Sequence, residues 1–207
     1  MRLLLLAPPG AGKGTQGTRL AAWSGAEHIA AGDVLRAEAA AGSDLAREIA
    51  AYQARGDLVP DQIVVDALTP AIVAAAARGG FILDGFPRNL PQAVAAAELA
   101  DRLGFTLHAA IYLQAPDAVL TQRLLGRAGQ GSRTDDTIDV IRHRLQVYAE
   151  TTGPLVPYYA ERGILVTVNA DQPPDDVTAE IKDRLSALGV PGADKAVKPD
   201  KADKEGG

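Results

Sequence analysis

Five short apolar runs alternate along the chain with longer stretches of helical periodicity. The first run, 2–6 (RLLLL), is continuously apolar, as expected of a central strand covered on both faces. Helix-forming sequence follows over 13–23, and Leu20 and Trp23, three apart, are expected to pack on the sheet. A short run at 27–31 (EHIAA) is a second strand candidate. Gly32 comes next, with Asp33 as the expected N-cap of a helix over 34–41. Gly42 and Ser43 break that helix, 44–55 is helical again, and Gly56–Asp57 stops it. The segment thus holds two short helices between breakers and reads as a small helical insertion that could move on glycine hinges.

The next helical stretch, 62–77, contains Pro70, which predicts a kink or a restart near Thr69. Phe81, Ile82 and Leu83 form a buried strand candidate ending at Asp84, and Gly85–Phe86–Pro87–Arg88 is a sharp loop. Pro91 opens a helix to Leu103, closed by Gly104. A strand over 108–113 and a helix over 116–126 follow, the latter with Arg123 and Arg127 on one face. A polar link, 128–134, leads to a long helix expected to start at Asp135–Asp136 and reach Tyr148. A stretch interrupted by Pro154 and Pro157, a last strand over 164–168 and a closing helix over 174–188 complete the pattern. Beyond Gly189 the chain turns to Lys, Asp, Pro and Gly and is expected to be disordered. This alternation predicts an α/β fold, a parallel sheet with crossover helices on both faces that binds phosphate at the carboxyl ends of its strands.

Composition narrows the function. The 207 residues suit one α/β domain with small insertions, and 47% hydrophobic content supplies a sizeable core. A net charge of -5 and 4% aromatics argue against a nucleic-acid binder. There is no cysteine and there are only three dispersed histidines (His28, His108, His143), so a thiolate or histidine metal centre is not expected. The opening leucine run is too short for a secretory core or a membrane span, which reads as a soluble, cytoplasmic chain.

The strongest chemical signal is the stretch 7–15, APPGAGKGT, between the first strand and the first helix. Glycines there let backbone N–H groups converge, and together with the helix N-terminus they cradle phosphate oxygens. Pro9, Gly10, Ala11, Gly12, Lys13, Gly14 and Thr15 are the candidate nucleotide-binding residues. Lys13 adds a mobile positive charge and Thr15 a hydroxyl near a Mg2+ position. The usual pattern has glycine where Ala7 stands, and Gly14 separates Lys13 from Thr15. A phosphate loop serves an ATPase, a GTPase or a small-molecule kinase, so the rest of the chain must decide. Asp84, at a strand end, is placed to orient Mg2+ through water. Arg36, Arg88, Arg123, Arg127, Arg133 and Arg144 lie in separate polar segments, as a site for two polyanions meeting head to head requires. No guanine-reading Asn-Lys-x-Asp stretch is present. A phosphate acceptor needs no strong general base, and none is assigned.

The chain resembles the nucleoside monophosphate kinases, most closely the adenylate kinases with a short lid. The resemblance covers residues 1–188 and rests on PPGAGKGTQ (8–16), AGDVLR (31–36), GDLVPD (56–61), FILDGFPR (81–88) with Gln92, RLLGR (123–127) and SRTDD (132–136) with Arg144. It implies a P-loop three-layer α/β/α fold with a five-stranded parallel sheet, a monophosphate-binding subdomain over 30–59 and a short lid over 127–135. It implies reversible transfer from Mg-ATP to AMP, giving two ADP, by a monomer. By the same resemblance, Lys13 contacts the β- and γ-phosphates, and Arg123 lies against the adenine and phosphates of ATP. Arg127 and Arg133 grip the transferring group, and Arg36, Arg88 and Arg144 hold the monophosphate. Asp84 orders the waters of Mg2+, with no direct protein ligand expected, and Asp135 and Asp136 orient the lid arginines. Leu58, Val59 and Gly85 help line the acceptor pocket, and Gln92 reads the base edge.

Three departures bear on this. Ala7 replaces the first loop glycine. Ala31 stands where adenylate kinases usually have threonine, and with Asn89 after Arg88 it matches the UMP/CMP kinases. Gln92 matches the adenylate kinases, and the reading is AMP, with UMP or CMP as the alternative acceptor. A non-catalytic ATP-binding switch, with Ala7 as a sign of decay, is the rival of another class. Without cysteine, the structural zinc of long-lid relatives is not expected.

Overall fold

The run Arg2–Leu6 forms strand β1, and its side chains divide by parity as strand geometry requires. Leu3 and Leu5 enter one apolar cluster, while Leu4 and Leu6 enter a second on the opposite face. A computed structural model describes residues 1–41, 44–55, 59–128 and 137–193. After β1 come α1 (Lys13–Ser24), β2 (Glu27–Ala30), α2 (Ala31–Ala40), α3 (Asp44–Arg55) and α4 (Asp61–Arg78). Then follow β3 (Phe81–Asp84), α5 (Leu90–Leu103), β4 (Ala109–Gln114), α6 (Asp117–Ala128), α7 (Ile138–Thr151), α8 (Leu155–Glu161), β5 (Leu165–Asn169) and α9 (Pro174–Ala187).

The strands form one parallel sheet in the order β2-β3-β1-β4-β5, with Leu4 opposite both Leu83 and Ala110. Leu20 of α1, Leu120 of α6 and Val177, Ile181 and Leu185 of α9 cover one face. Leu35 of α2, Ile49 of α3, Leu68 and Ile72 of α4, Ala93 of α5 and Leu155 and Tyr159 of α8 cover the other. This is the expected three-layer α/β/α architecture. From β1 the chain crosses toward β2 at one edge, and from β4 it crosses toward β5 at the other. Connections leave these adjacent strands in opposite directions, which opens a crevice at their carboxyl ends. Among the described residues no helix is long and apolar enough to cross a membrane.

Several local expectations are corrected. β2 passes directly into α2, whose N-cap is Ala30, so Asp33 lies in the first helical turn and pairs with Arg36 instead of capping. Pro70 lies inside an unbroken α4, so the helix does not restart near Thr69. The buried stripe Val64, Ala67, Leu68, Ile72 and Ala75 holds the helix across the one lost donor. Helix α7 begins at Ile138, where Thr137 caps it by accepting from the Val140 N–H, and not at Asp135–Asp136. Trp23 is half-buried against the α9 side, with the Lys182 ammonium 5.3 Å from its ring centre. The folded part also runs past the expected end at residue 188, because Val190 and Ala193 are buried in the first apolar cluster. Residues 194–207 lie outside the described residues, as does nearly all of the segment expected as a lid.

A chain ending at Leu188 loses the buried Val190 side chain and the Ala193 methyl. Denaturant unfolding should show it about 2 kcal/mol less stable than a chain ending at Ala193. A second prediction concerns the start of β1, where the Arg2 N–H donates to His108 Nδ1 at 2.8 Å. Burial, then the Arg2 guanidinium and the terminal ammonium, lowers the His108 pKa. The folded chain therefore binds this proton more weakly than the unfolded one. The resulting stability is present above about pH 6.5 and is lost as pH falls through the lowered value. Denaturation midpoints measured from pH 8 to pH 5 should fall less in His108→Asn, whose carbonyl still accepts from Arg2.

Candidate functional site

The site starts where β1 ends. Ala7 is 2% exposed and contributes its methyl to the core, and among the described residues only glycines have positive φ. A side chain at position 7 is therefore accommodated without strain. The Ala11 N–H closes a turn on the Pro8 carbonyl at 3.2 Å. Gly10 (φ 91°) and Gly12 (φ 95°) then carry the backbone through the left-handed region that side chains rarely adopt. A Cβ on Gly10 would stand 3.0 Å from the Leu120 carbonyl oxygen, so α6 packs directly on the loop. A Cβ on Gly12 or Gly14 would meet nothing within 4 Å, so these residues border open space. Helix α1 begins there with no side-chain cap and no acidic residue in its first turn. Its N–H groups and positive dipole end are thus unopposed by local carboxylates, a setting suited to phosphate. The Lys13 ammonium reaches back to donate to the Ala7 carbonyl at 2.7 Å, and Thr15 is exposed. Pro9 and Gly10 are half-buried, and since the Ala11 methyl belongs to the core, only its backbone faces such a ligand.

Asp84 ends β3 in register with Leu5 and Ala30, beside the strand that launches the loop. His28 of β2 lies next to it, with Nε2 3.9 Å from Asp84 Oδ2. That distance exceeds a hydrogen bond, and Nε2 is buried without a hydrogen-bond partner. The imidazole fits only because α1 presents Gly17, where a Cβ would lie 2.3 Å from Nε2. His28 was not among the sequence candidates, and the short β2 run offers no local pattern that marks it.

The acceptor-side candidates gather around Gly85. A Cβ there would be 3.8 Å from both the Ala31 methyl and Arg88 Nη2. Arg88 Nε donates to the Gly85 carbonyl at 2.9 Å, and the Arg88 N–H donates to Gln92 Oε1 at 2.7 Å. The Thr152 hydroxyl donates to the Arg88 carbonyl at 2.8 Å, which ties the loop to the end of α7. Gln92 is 4% exposed, and its Nε2 donates to Asp61 Oδ1 at 2.6 Å. Asn89 caps α5 by accepting from the Gln92 N–H at 2.8 Å, and its Nδ2 lies 3.2 Å from both Asp61 oxygens. The structure therefore joins Ala31, Gly85, Arg88 and Gln92 and adds Asp61 and Thr152, which sequence reasoning missed. Asp61 closes the quoted GDLVPD stretch, and its place in the first turn after a proline was the available signal.

The remaining candidates are more dispersed. Arg36 is exposed and pairs with Asp33 on its own helix. Val59 packs partly against the second apolar cluster. Arg123 Nη1 donates to the Ala170 carbonyl at 2.8 Å, after β5, and Arg144 is half-buried on α7. Arg127 lies on α6, but its side chain, together with Leu58, Arg133, Asp135 and Asp136, lies outside the described residues. Gln16, in the quoted loop motif, is buried and ties α1 to α9: its Nε2 donates to the Pro174 carbonyl at 3.0 Å, and Thr178 Oγ1 donates to its Oε1 at 2.7 Å.

Comparison with known proteins agrees with this geometry. The adenylate kinase family matches residues 5–164. An adenylate kinase of Synechococcus sp. (strain CC9902) is 45% identical over 180 residues, covering 87% of this chain and 96% of that protein. The adenylate kinase of Parasynechococcus marenigrum (strain WH8102) is 45% identical over 185 residues, 89% and 98% of the two chains. That of Stenotrophomonas maltophilia (strain R551-3) is 45% identical over 181 residues, 87% and 97%. The family match spans the loop, the Gly85 region and α6, and the chain belongs to the adenylate kinase family.

Proposed function

We infer that the chain carries out the reaction of its family, reversible transfer of the γ-phosphoryl group of ATP to AMP, giving two ADP. The observation that carries this reading is the pairing of a bare helix N-terminus behind a glycine turn with a second cluster, Ala31, Gly85, Arg88 and Gln92, at the carboxyl ends of neighbouring strands. An oxygen of the AMP phosphate attacks the γ-phosphorus, the bond from that phosphorus to the β,γ-bridging oxygen breaks, and both products are ADP. The chain's own part is to bring two polyanions together and hold the charge of the transferring group. Loop N–H groups and Lys13 hold the ATP phosphates. Arg88, Arg144 and Arg36 hold the AMP phosphate, Arg123 serves the adenine and phosphates of ATP, and the family resemblance assigns Arg127 and Arg133 to the group in transit. Mg2+ enters with ATP and neutralises phosphate charge. The Asp84 carboxylate and the Thr15 hydroxyl are hard oxygen donors suited to its waters. No residue serves as general base, because the attacking oxygen is already anionic.

Two features raised for other readings have structural explanations. Asn89 uses its carboxamide to cap α5 and bond Asp61, which accounts for an asparagine there without a base contact. Ala31 is 1% exposed with its methyl in the core. Packing thus accounts for both residues, and Gln92, which matches the adenylate kinases, is the base reader in this proposal. Ala7, for its part, sits at an ordinary backbone angle and supplies the carbonyl that receives Lys13, so it is no sign of a decayed, non-catalytic switch.

ADP release from Mg-ATP with AMP, CMP, UMP or GMP at equal concentration should show clear preference for AMP. Preference for CMP or UMP would transfer the specificity to Ala31 and Asn89 and refute the AMP assignment. Arg88→Ala should lower kcat/KM for AMP about 100-fold or more, a loss of about 3 kcal/mol of transition-state stabilisation. A change under threefold would remove Arg88 from the site.

A further inference from the structure

Asp61 is 31 residues from Gln92 in sequence, yet its carboxylate takes the shortest hydrogen bond that Gln92 makes. A glutamine carboxamide can rotate by half a turn and exchange its oxygen and nitrogen at small cost. It is then a poor judge of bases, because either orientation offers a donor beside an acceptor. Here both ends meet partners of fixed character. The Arg88 backbone N–H can only donate, and it points at Oε1 from 2.7 Å. The Asp61 carboxylate can only accept, and it receives Nε2–H at 2.6 Å. Turning the carboxamide over would set N–H against N–H at Arg88 and oxygen against carboxylate at Asp61. With Gln92 4% exposed, water cannot relieve either clash.

The carboxylate is itself held. Asn89 Nδ2 lies 3.2 Å from both of its oxygens, while Asn89 Oδ1 receives the Gln92 N–H at 2.8 Å. Asp61 also stands in the first turn of α4, where the positive helix end favours its charge.

We propose that Asp61 is a positioning residue that locks the Gln92 carboxamide in one orientation and thereby makes the acceptor site select a base carrying an amino group over one carrying a keto group. With one lone pair of Oε1 and one hydrogen of Nε2 already used, a lone pair and an N–H remain. An adenine edge complements them, its 6-amino group donating to Oε1 and its N1 accepting from Nε2. A 6-keto purine offers an acceptor and a protonated N1 in the same places, opposing both groups, and the locked carboxamide cannot turn over to meet it. The proposal rests on the reading that Gln92 faces the acceptor base.

The test compares AMP with inosine monophosphate, which replaces the 6-amino group by oxygen and protonates N1. The variant is Asp61→Asn, which keeps the shape of the side chain but can donate as well as accept, so it removes one of the two contacts that oppose a flipped Gln92 and leaves only the Arg88 N–H. The ratio of kcat/KM for AMP to that for inosine monophosphate should fall about tenfold or more, mainly through a lowered KM for inosine monophosphate. Added to Gln92→Ala, the same substitution should leave the ratio unmoved. A ratio unchanged in Asp61→Asn, or equal losses for both acceptors, overturns the lock. If Gln92→Ala alone leaves the ratio unchanged, the reading of Gln92 as base reader fails instead, and the two failures are distinguishable. Should Asp61→Asn not fold, NMR of the wild-type chain decides. A through-hydrogen-bond coupling between the Arg88 amide nitrogen and the Gln92 carboxamide carbon supports the lock, and its absence, with two sets of Gln92 carboxamide signals, overturns it.

Discussion

The structure depends on a backbone that must pass within van der Waals distance of another helix while turning its N–H groups toward one point. Gly10 meets both demands. Its left-handed φ begins the turn, and its missing Cβ lets the Leu120 carbonyl of α6 close over it. That contact does more than fill space. Helix α6 also carries Arg123, so the glycine that shapes the loop seats the helix that bears this candidate cation. The cradle in turn is held by β1, whose four leucines are buried alternately in the two faces of the sheet. Ala7 illustrates the limits of the constraint. It precedes the turn, its methyl faces the core, and the function of that position passes to its carbonyl, which any residue supplies.

The strands were legible because burial on both faces leaves a continuous apolar run, as in Arg2–Leu6, and the parallel sheet followed from their alternation with helices. What misled was punctuation. Pro70 looked like a break, but a helix with a buried stripe on its inner side tolerates one missing donor. Asp33 looked like a cap, but β2 runs into α2 with no cap to fill. The charged composition after Gly189 hid two small residues, Val190 and Ala193, that still reach the core. In the site, residues whose chemistry lies in their own type and local spacing were legible: Lys13 in its glycine loop, Asp84 at a strand end, Arg88 after a turn. Asp61, His28, Thr152 and the Gln16–Thr178 pair were not. Each meets a residue far along the chain, as His28 meets Asp84 and Gln16 meets Thr178, 162 residues away, and no local pattern records such a meeting.

The cations of the site share a resting arrangement that follows from the chemistry they serve. Lys13 donates to the Ala7 carbonyl, Arg88 to the Gly85 carbonyl and Arg123 to the Ala170 carbonyl. A carbonyl oxygen orients a cation without cancelling its charge, whereas a carboxylate would do both. Each such charge-assisted bond contributes about 1.5–3 kcal/mol net, and a phosphate, which accepts with full charge, makes a stronger one and displaces it. Arg36 differs, since it pairs with the exposed Asp33, where water already screens both charges. The carboxylate that is most engaged, Asp61, is spent on two amides rather than on an arginine. At Arg88 and Arg123 positive charge is thus oriented by backbone dipoles, and the Asp61 charge is turned toward neutral donors. For a site that takes up two polyanions and releases two more, as proposed above, a carbonyl partner at Arg88 and Arg123 leaves the incoming phosphate no carboxylate to outcompete there.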